Sequence, residues 1–102
     1  LDNKTEKHYQ TIFYIFFKLM GQFVQAEPRS AVGRADAVVT LSDTVYIFEF
    51  KLAERDTAEA ALKQIDDRCY AMPYAASGKR VVKVGAEFSS ETRTLGKWKV
   101  KK

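Results

Sequence analysis

The sequence predicts an α/β domain of order α-β-β-β-α-β-β, with a central mixed sheet carrying helices on both faces. Three observations lead there. Apolar residues recur at helical spacing over roughly Lys4 to Met20 and again over about Asp56 to Tyr70. Between them, Gly33 to Leu52 reads as two strands folded back on each other, rich in β-branched and aromatic residues. After the second helix, Arg80 to Phe88 reads as a strand, and a strand that follows a helix implies a crossover and parallel pairing.

In the first helix, Tyr9, Ile12, Phe13, Phe16, Leu19 and Met20 form the stripe. Tyr14, Ile15 and Phe17 add apolar surface outside it, so little of this helix is expected to face water. Gly21 is a good terminator. Gln22 to Glu27 reads as a first strand, closed by Pro28. Arg29 to Arg34 is a loop of small residues holding two arginines, with Gly33 permitting close backbone approach.

The hairpin turns at Leu41-Ser42-Asp43-Thr44. A turn centred between Ser42 and Asp43 sets Leu41 against Thr44 and, further along, Asp36 opposite Glu49 and Arg34 opposite Lys51. The other face then pairs Ala35 with Phe50, Ala37 with Phe48 and Val39 with Tyr46, small against large. Glu49 and Lys51 share one face by strand period. Two opposed carboxylates at the end of apolar strands repel and are costly to desolvate. A divalent cation such as Mg²⁺ or Mn²⁺ removes the conflict, since hard ions take carboxylate oxygens. The alternative is a charged rim in which Arg34 and Lys51 neutralise Asp36 and Glu49. Glu27 likewise has two readings: a third carboxylate near the site, or a strand-end acid paired with Arg29 or Arg34.

The second helix has Asp56 and Glu59 in capping-box spacing and an apolar stripe of Ala58, Ala61, Leu62, Ile65 and Cys69. Asp66 and Asp67, adjacent on a helix, point apart and read as a solvated face. Pro73 and Gly78 punctuate the connection to the next strand. Leu95 to Val100 reads as a final edge strand whose lysines discourage aberrant pairing.

Length and charge bound the rest. At 102 residues the chain is one domain's worth, 46% hydrophobic, enough for a core. With 17 Lys+Arg against 13 Asp+Glu it is mildly basic, which fits a polyanionic partner. Lys97 to Lys102 hold four lysines, the composition of a solvated tail. One cysteine and one histidine exclude an internal disulfide and a closed zinc site and fit a reducing, cytoplasmic compartment. No apolar run is long enough to span a membrane. The chain begins at Leu1 and not Met, and is expected to be a fragment of a longer polypeptide.

Asp36 followed by Glu49-Phe50-Lys51 on the next strand resembles the PD-(D/E)XK nuclease signature. More narrowly, G-R-A-D-A-V-V and then Y-I-F-E-F-K-L is similar to the nuclease-like domain that follows an AAA-type ATPase domain in uncharacterised bacterial proteins, in a C-terminal position. The resemblance spans the chain from the Tyr9 helix to Lys83–Ser89. One departure is visible: Ala35, not proline, precedes Asp36. The resemblance implies a restriction-endonuclease-like αβββαβ core and Mg²⁺- or Mn²⁺-dependent hydrolysis of phosphodiester bonds, in DNA. It assigns the metal to Asp36, Glu49 and the Phe50 carbonyl. It gives Lys51 the attacking water or the charge developing on phosphate, and sets Gln64 and Glu27 behind them. Q-I-D-D-R-C-Y is similar to a glutamine–tyrosine helix motif of recombination nucleases, with Gln64 near the site; the spacing to Tyr70 is longer than usual, and a buried aromatic is the simpler reading of Tyr70. In related nucleases an acid or histidine of the first helix reaches the metal, which singles out Glu6 and His8, against a polar first turn in solvent. A second reading is a non-cleaving nucleic-acid or protein-interaction module on the same fold, coupled to the ATPase domain. A third is a homodimerisation domain.

Overall fold

The structure, a computed structural model, describes residues 11, 12, 14–16, 18, 37–89, 91, 92 and 94–102. The chain divides into two compact units, Leu1–Ser30 and Ala31–Lys102. In the first, residues 11, 12, 14–16 and 18 are helical. Ile12, Ile15 and Phe16 are buried, as their i, i+3, i+4 spacing requires. Tyr14 faces water, 62% exposed, contrary to the expectation of an almost wholly covered helix. The Lys18 ammonium, one turn on, lies 5.4 Å from its ring centroid, and this cation–π contact suits an exposed aromatic. The strand expected over Gln22 to Glu27 lies outside the described residues.

The second unit is built on a four-stranded mixed sheet of order β1-β2-β3-β4: β1 (Ala37–Thr40), β2 (Thr44–Leu52), β3 (Arg80–Ser89) and β4 (Thr94–Lys101). This is the α/β, restriction-endonuclease-like class the sequence predicts. The β1–β2 pair is antiparallel, with Ala37 opposite Phe48, Val39 opposite Tyr46 and Thr40 opposite Val45. That is the register of a turn centred between Ser42 and Asp43, and the Leu41 amide closes it on the Thr44 carbonyl at 2.8 Å. β2 and β3 are parallel, as a helical crossover requires, and run in step from Thr44↔Arg80 to Leu52↔Phe88. β4 returns antiparallel to β3 with an irregularity between Ala86 and Phe88.

The crossover helix, α1 (Ala58–Asp67), is shorter than its periodic stretch at both ends. Its start is capped by the Thr57 hydroxyl, which accepts from the Ala60 amide at 3.1 Å, and not by Asp56. Asp56 instead accepts from the Thr57 amide. The helix ends in a Schellman turn: the Cys69 amide donates to Asp66 O and the Tyr70 amide to Ile65 O. Cys69 holds the left-handed conformation there, at φ 56°, and is exposed, not part of the core stripe. Cys69→Gly is expected to stabilise the domain by about 0.5–1 kcal/mol, because glycine removes the Cβ penalty of that conformation; urea unfolding checks this.

One face of the sheet buries Val45 and Ile47 against Ile65 and Tyr70, with Val38, Leu62, Tyr74 and Val81 packed around them. The other face of β2 carries Tyr46, Phe48 and Phe50, each at most 6% exposed. Phe48 and Phe50 are stacked at 6.3 Å between centroids. Gly85 of β3 lies directly under α1: a Cβ built there would stand 2.4 Å from the Ala58 carbonyl oxygen and 2.9 Å from the Leu62 amide nitrogen. The helix rests on bare backbone at this point. Among the described residues no helix is long and apolar enough to cross a membrane.

Candidate active site

Strand period puts Val45, Ile47, Glu49 and Lys51 on the α1 face of β2. The apolar members lead inward, and the polar members fall where the strand leaves the core. Glu49 is nevertheless only 5% exposed. A carboxylate so enclosed is costly unless hydrogen-bonded, and α1 supplies the bond. Gln64 Nε2 donates to Glu49 Oε2 at 2.8 Å, and Lys51 Nζ donates to Gln64 Oε1 in a short contact. The glutamine thus spans the acid and the base of the triplet and fixes its own amide orientation by doing so: oxygen toward the ammonium, nitrogen toward the carboxylate.

Gln64 Nε2 also lies 3.2 Å from the Tyr70 hydroxyl, to which it donates. Six residues along a straight helix would carry Tyr70 well round from Gln64. The Schellman turn at Cys69 breaks the helix and folds Tyr70 back under it. Tyr70 is therefore both readings at once, a buried aromatic at 6% exposure and a partner of Gln64.

Glu87 is the residue that sequence reasoning passed over. It is the β3 partner of Lys51 in the parallel register, and its Oε2 accepts from the Ala58 amide at 3.0 Å. A carboxylate at a helix N-terminus satisfies an otherwise orphan donor and complements the helix dipole. The signal was present: Lys83 and Glu87 interrupt an otherwise apolar strand on one face.

At the other end of α1, Asp66 is not merely solvated. Lys83 of β3 and Lys101 of β4, cross-strand partners that would repel, both meet its carboxylate, at 2.5 and 2.8 Å. The Lys101 and Lys83 ammonium groups hold the Asp66 carboxyl below its usual range. Its pKa is lower folded than unfolded, so this clasp contributes stability above the unfolded value and loses it as pH falls through the folded one. Asp66→Asn is therefore expected to destabilise the domain at pH 7, and by less as the pH is lowered below the ordinary carboxylate range; urea midpoints across that acid range check it. Asp67 pairs with Lys63 in solvent, at 2.6 Å.

Of the residues singled out by sequence, Glu49, Lys51, Gln64 and Tyr70 are brought together, and Phe50, buried at 6%, lies between the first two on β2. Asp36, Glu27, Glu6 and His8 lie outside the described residues. Among the described residues no three His, Cys, Asp or Glu side chains are gathered. Glu49 offers the donor type a hard divalent cation takes.

The chain is 38% identical over 90 residues, 88% of its length, to a protein of Azotobacter chroococcum mcd 1 described as "Uncharacterized protein in vnfD 5'region". It spans 17% of that protein. No solved structure matches it. The sequence profile of the PD-(D/E)XK nuclease superfamily matches residues 4–98, nearly the whole chain and including both strands of the hairpin and the glutamine helix. With an acid–aromatic–lysine triplet on β2 and a glutamine from the crossover helix joining its two charged members, the chain belongs to the PD-(D/E)XK nuclease superfamily.

Proposed function

We propose that the domain is a metal-dependent nuclease that hydrolyses phosphodiester bonds in DNA. The observation that carries this is the β1–β2 register beside the Glu49–Gln64–Lys51 network. Ala37 pairs with Phe48, and in the sequence Asp36 precedes the one and Glu49 follows the other. Were this ladder to continue by one step, Asp36 would stand across from Glu49, about 5 Å apart at Cβ. Asp36, Glu49 and the Phe50 carbonyl would then hold Mg²⁺ or Mn²⁺. The bound ion supplies an acidified water and neutralises charge on the phosphate. Glu49, only 5% exposed, would offer that ion a carboxylate at the edge of the core, where charge interactions are stronger than in water. Lys51, on the same face, orients the attacking water or meets the charge developing on the phosphate. Gln64 keeps the Glu49 carboxylate and the Lys51 ammonium apart and in place, as an outer-shell partner does.

The test uses the full-length protein with duplex DNA and Mn²⁺. Wild type is expected to cleave, and Asp36→Ala, Glu49→Ala and Lys51→Ala each to lose cleavage while remaining folded. Calorimetry is expected to show divalent binding that Asp36→Asn and Glu49→Gln remove. Cleavage that persists in all three alanine variants overturns the proposal, and DNA binding without metal uptake assigns a non-cleaving module instead.

A further inference from the structure

The lysines of β4 form a charged row on the face that carries α1. Gly85 of β3 pairs with Glu49 on one side and with Lys99 on the other, so Glu49 and Lys99 lie on one line across the sheet, two strand spacings apart, about 10 Å. Lys99 and Lys101 stand two residues apart on β4 and so point to that face, about 6.7 Å from each other along the strand. Lys99 reaches over to Glu59 in the first turn of α1, at 2.6 Å. Lys97 belongs to the same cluster: Lys99 chiefly, and Lys97 with it, hold the Glu59 carboxyl below its usual range. Lys97, Lys99 and Lys101 are all exposed. With Lys83 they make four lysines against the three carboxylates Glu59, Asp66 and Glu87, so the row keeps a small positive excess.

The adjacent N-terminus of α1 does not compete for an anion. Its Ala58 amide is taken by Glu87 and its Ala60 amide by Thr57. Lys51 on β2 and Lys99 on β4 flank β3 beneath that helix end, and Lys97 and Lys99 are the exposed cations there. Exposed lysines along a strand edge can serve only to block edge pairing. The alignment of this row with Glu49 gives it a further use.

We infer that the β4 edge is the track along which the phosphate backbone of duplex DNA leaves the active site, with Lys97 and Lys99 as its contacts. The inference rests on the nuclease reading above, and deepens it by naming the surface that holds the substrate. Binding of a fluorescent DNA duplex by the full-length protein is titrated across salt in EDTA, which prevents cleavage. Lys97→Gln/Lys99→Gln is expected to reduce the slope of log K against log salt by about 2, since each phosphate contact contributes about 0.9. Lys63→Gln, which removes an exposed lysine on the outer side of α1, is expected to leave the slope unchanged. In Mn²⁺ the double variant is expected to show a raised KM and an unchanged kcat. An unchanged slope overturns the track, as does failure of wild type to bind duplex DNA. An unchanged slope together with concentration-dependent association by light scattering assigns the lysines to edge protection. A reduced slope in a protein that never cleaves keeps the surface and removes the nuclease reading, whereas cleavage with an unchanged slope does the reverse.

Discussion

Glu49→Gln is expected to lower DNA cleavage in Mn²⁺ by about 10³-fold, with no loss of fold. The substitution keeps size and shape, and an amide oxygen at position 49 can still accept from Gln64 Nε2, which lies 2.8 Å from the carboxylate in wild type. What it removes is the negative charge. A metal ion supplies several kcal/mol of transition-state stabilisation, and about 4 kcal/mol corresponds to about 10³ in rate. Stability should move by no more than about 1 kcal/mol, because a buried carboxylate at 5% exposure loses its charge-assisted bond and its desolvation cost together. Gln64→Ala should lower activity less, by about 10–100-fold, as an outer-shell change does. The measurement is single-turnover cleavage alongside a urea unfolding curve. Activity within tenfold of wild type for Glu49→Gln would remove Glu49 from the metal site.

Gly85→Ala is expected to cost about 3 kcal/mol of stability. The added methyl would meet the Ala58 carbonyl oxygen at 2.4 Å and the Leu62 amide nitrogen at 2.9 Å, both backbone atoms of α1, with no flexible side chain to give way. Overpacking of this kind costs about 1–3 kcal/mol, occasionally more, and the obstruction here is backbone. The helix must lift from β3, and Gln64 moves with it. Activity at a temperature where the variant is still folded should therefore also fall, since the bonds from Gln64 to Glu49, Lys51 and Tyr70 all depend on how close the helix lies. Urea unfolding followed by circular dichroism measures the first effect. A loss below about 0.5 kcal/mol would show that α1 does not rest on Gly85.

Much of this was legible in the chain because it depends on local periodicity. The hairpin register followed from the turn and from matching small residues with large ones across it, and Ala37↔Phe48 and Val39↔Tyr46 are found as expected. The parallel crossover followed from helix-then-strand order. Helix ends were less legible. Asp56 and Thr57 are both good caps, and only the path of the chain out of β2 decides that Thr57 takes the role. Cys69 fits the apolar stripe by spacing, yet the helix ends before it, and its side chain turns to solvent in a left-handed turn. The same turn explains why the long Gln64–Tyr70 spacing still yields a contact, something periodicity could not supply.

The sequence by itself determined the class of fold, the strand period that sets Glu49 and Lys51 on one face of β2, and the residue types of the acid–aromatic–lysine triplet, since strand period and side-chain chemistry are properties of short segments. Only the tertiary structure decided that Gln64 bridges Glu49 and Lys51, that Glu87 caps α1 from a neighbouring strand, and that Asp66 clasps Lys83 and Lys101. These partners are 13 to 35 residues apart in the chain. Nothing local brings them together: their meeting follows from a helix laid across a bare glycine on a parallel strand, a distance that packing alone sets.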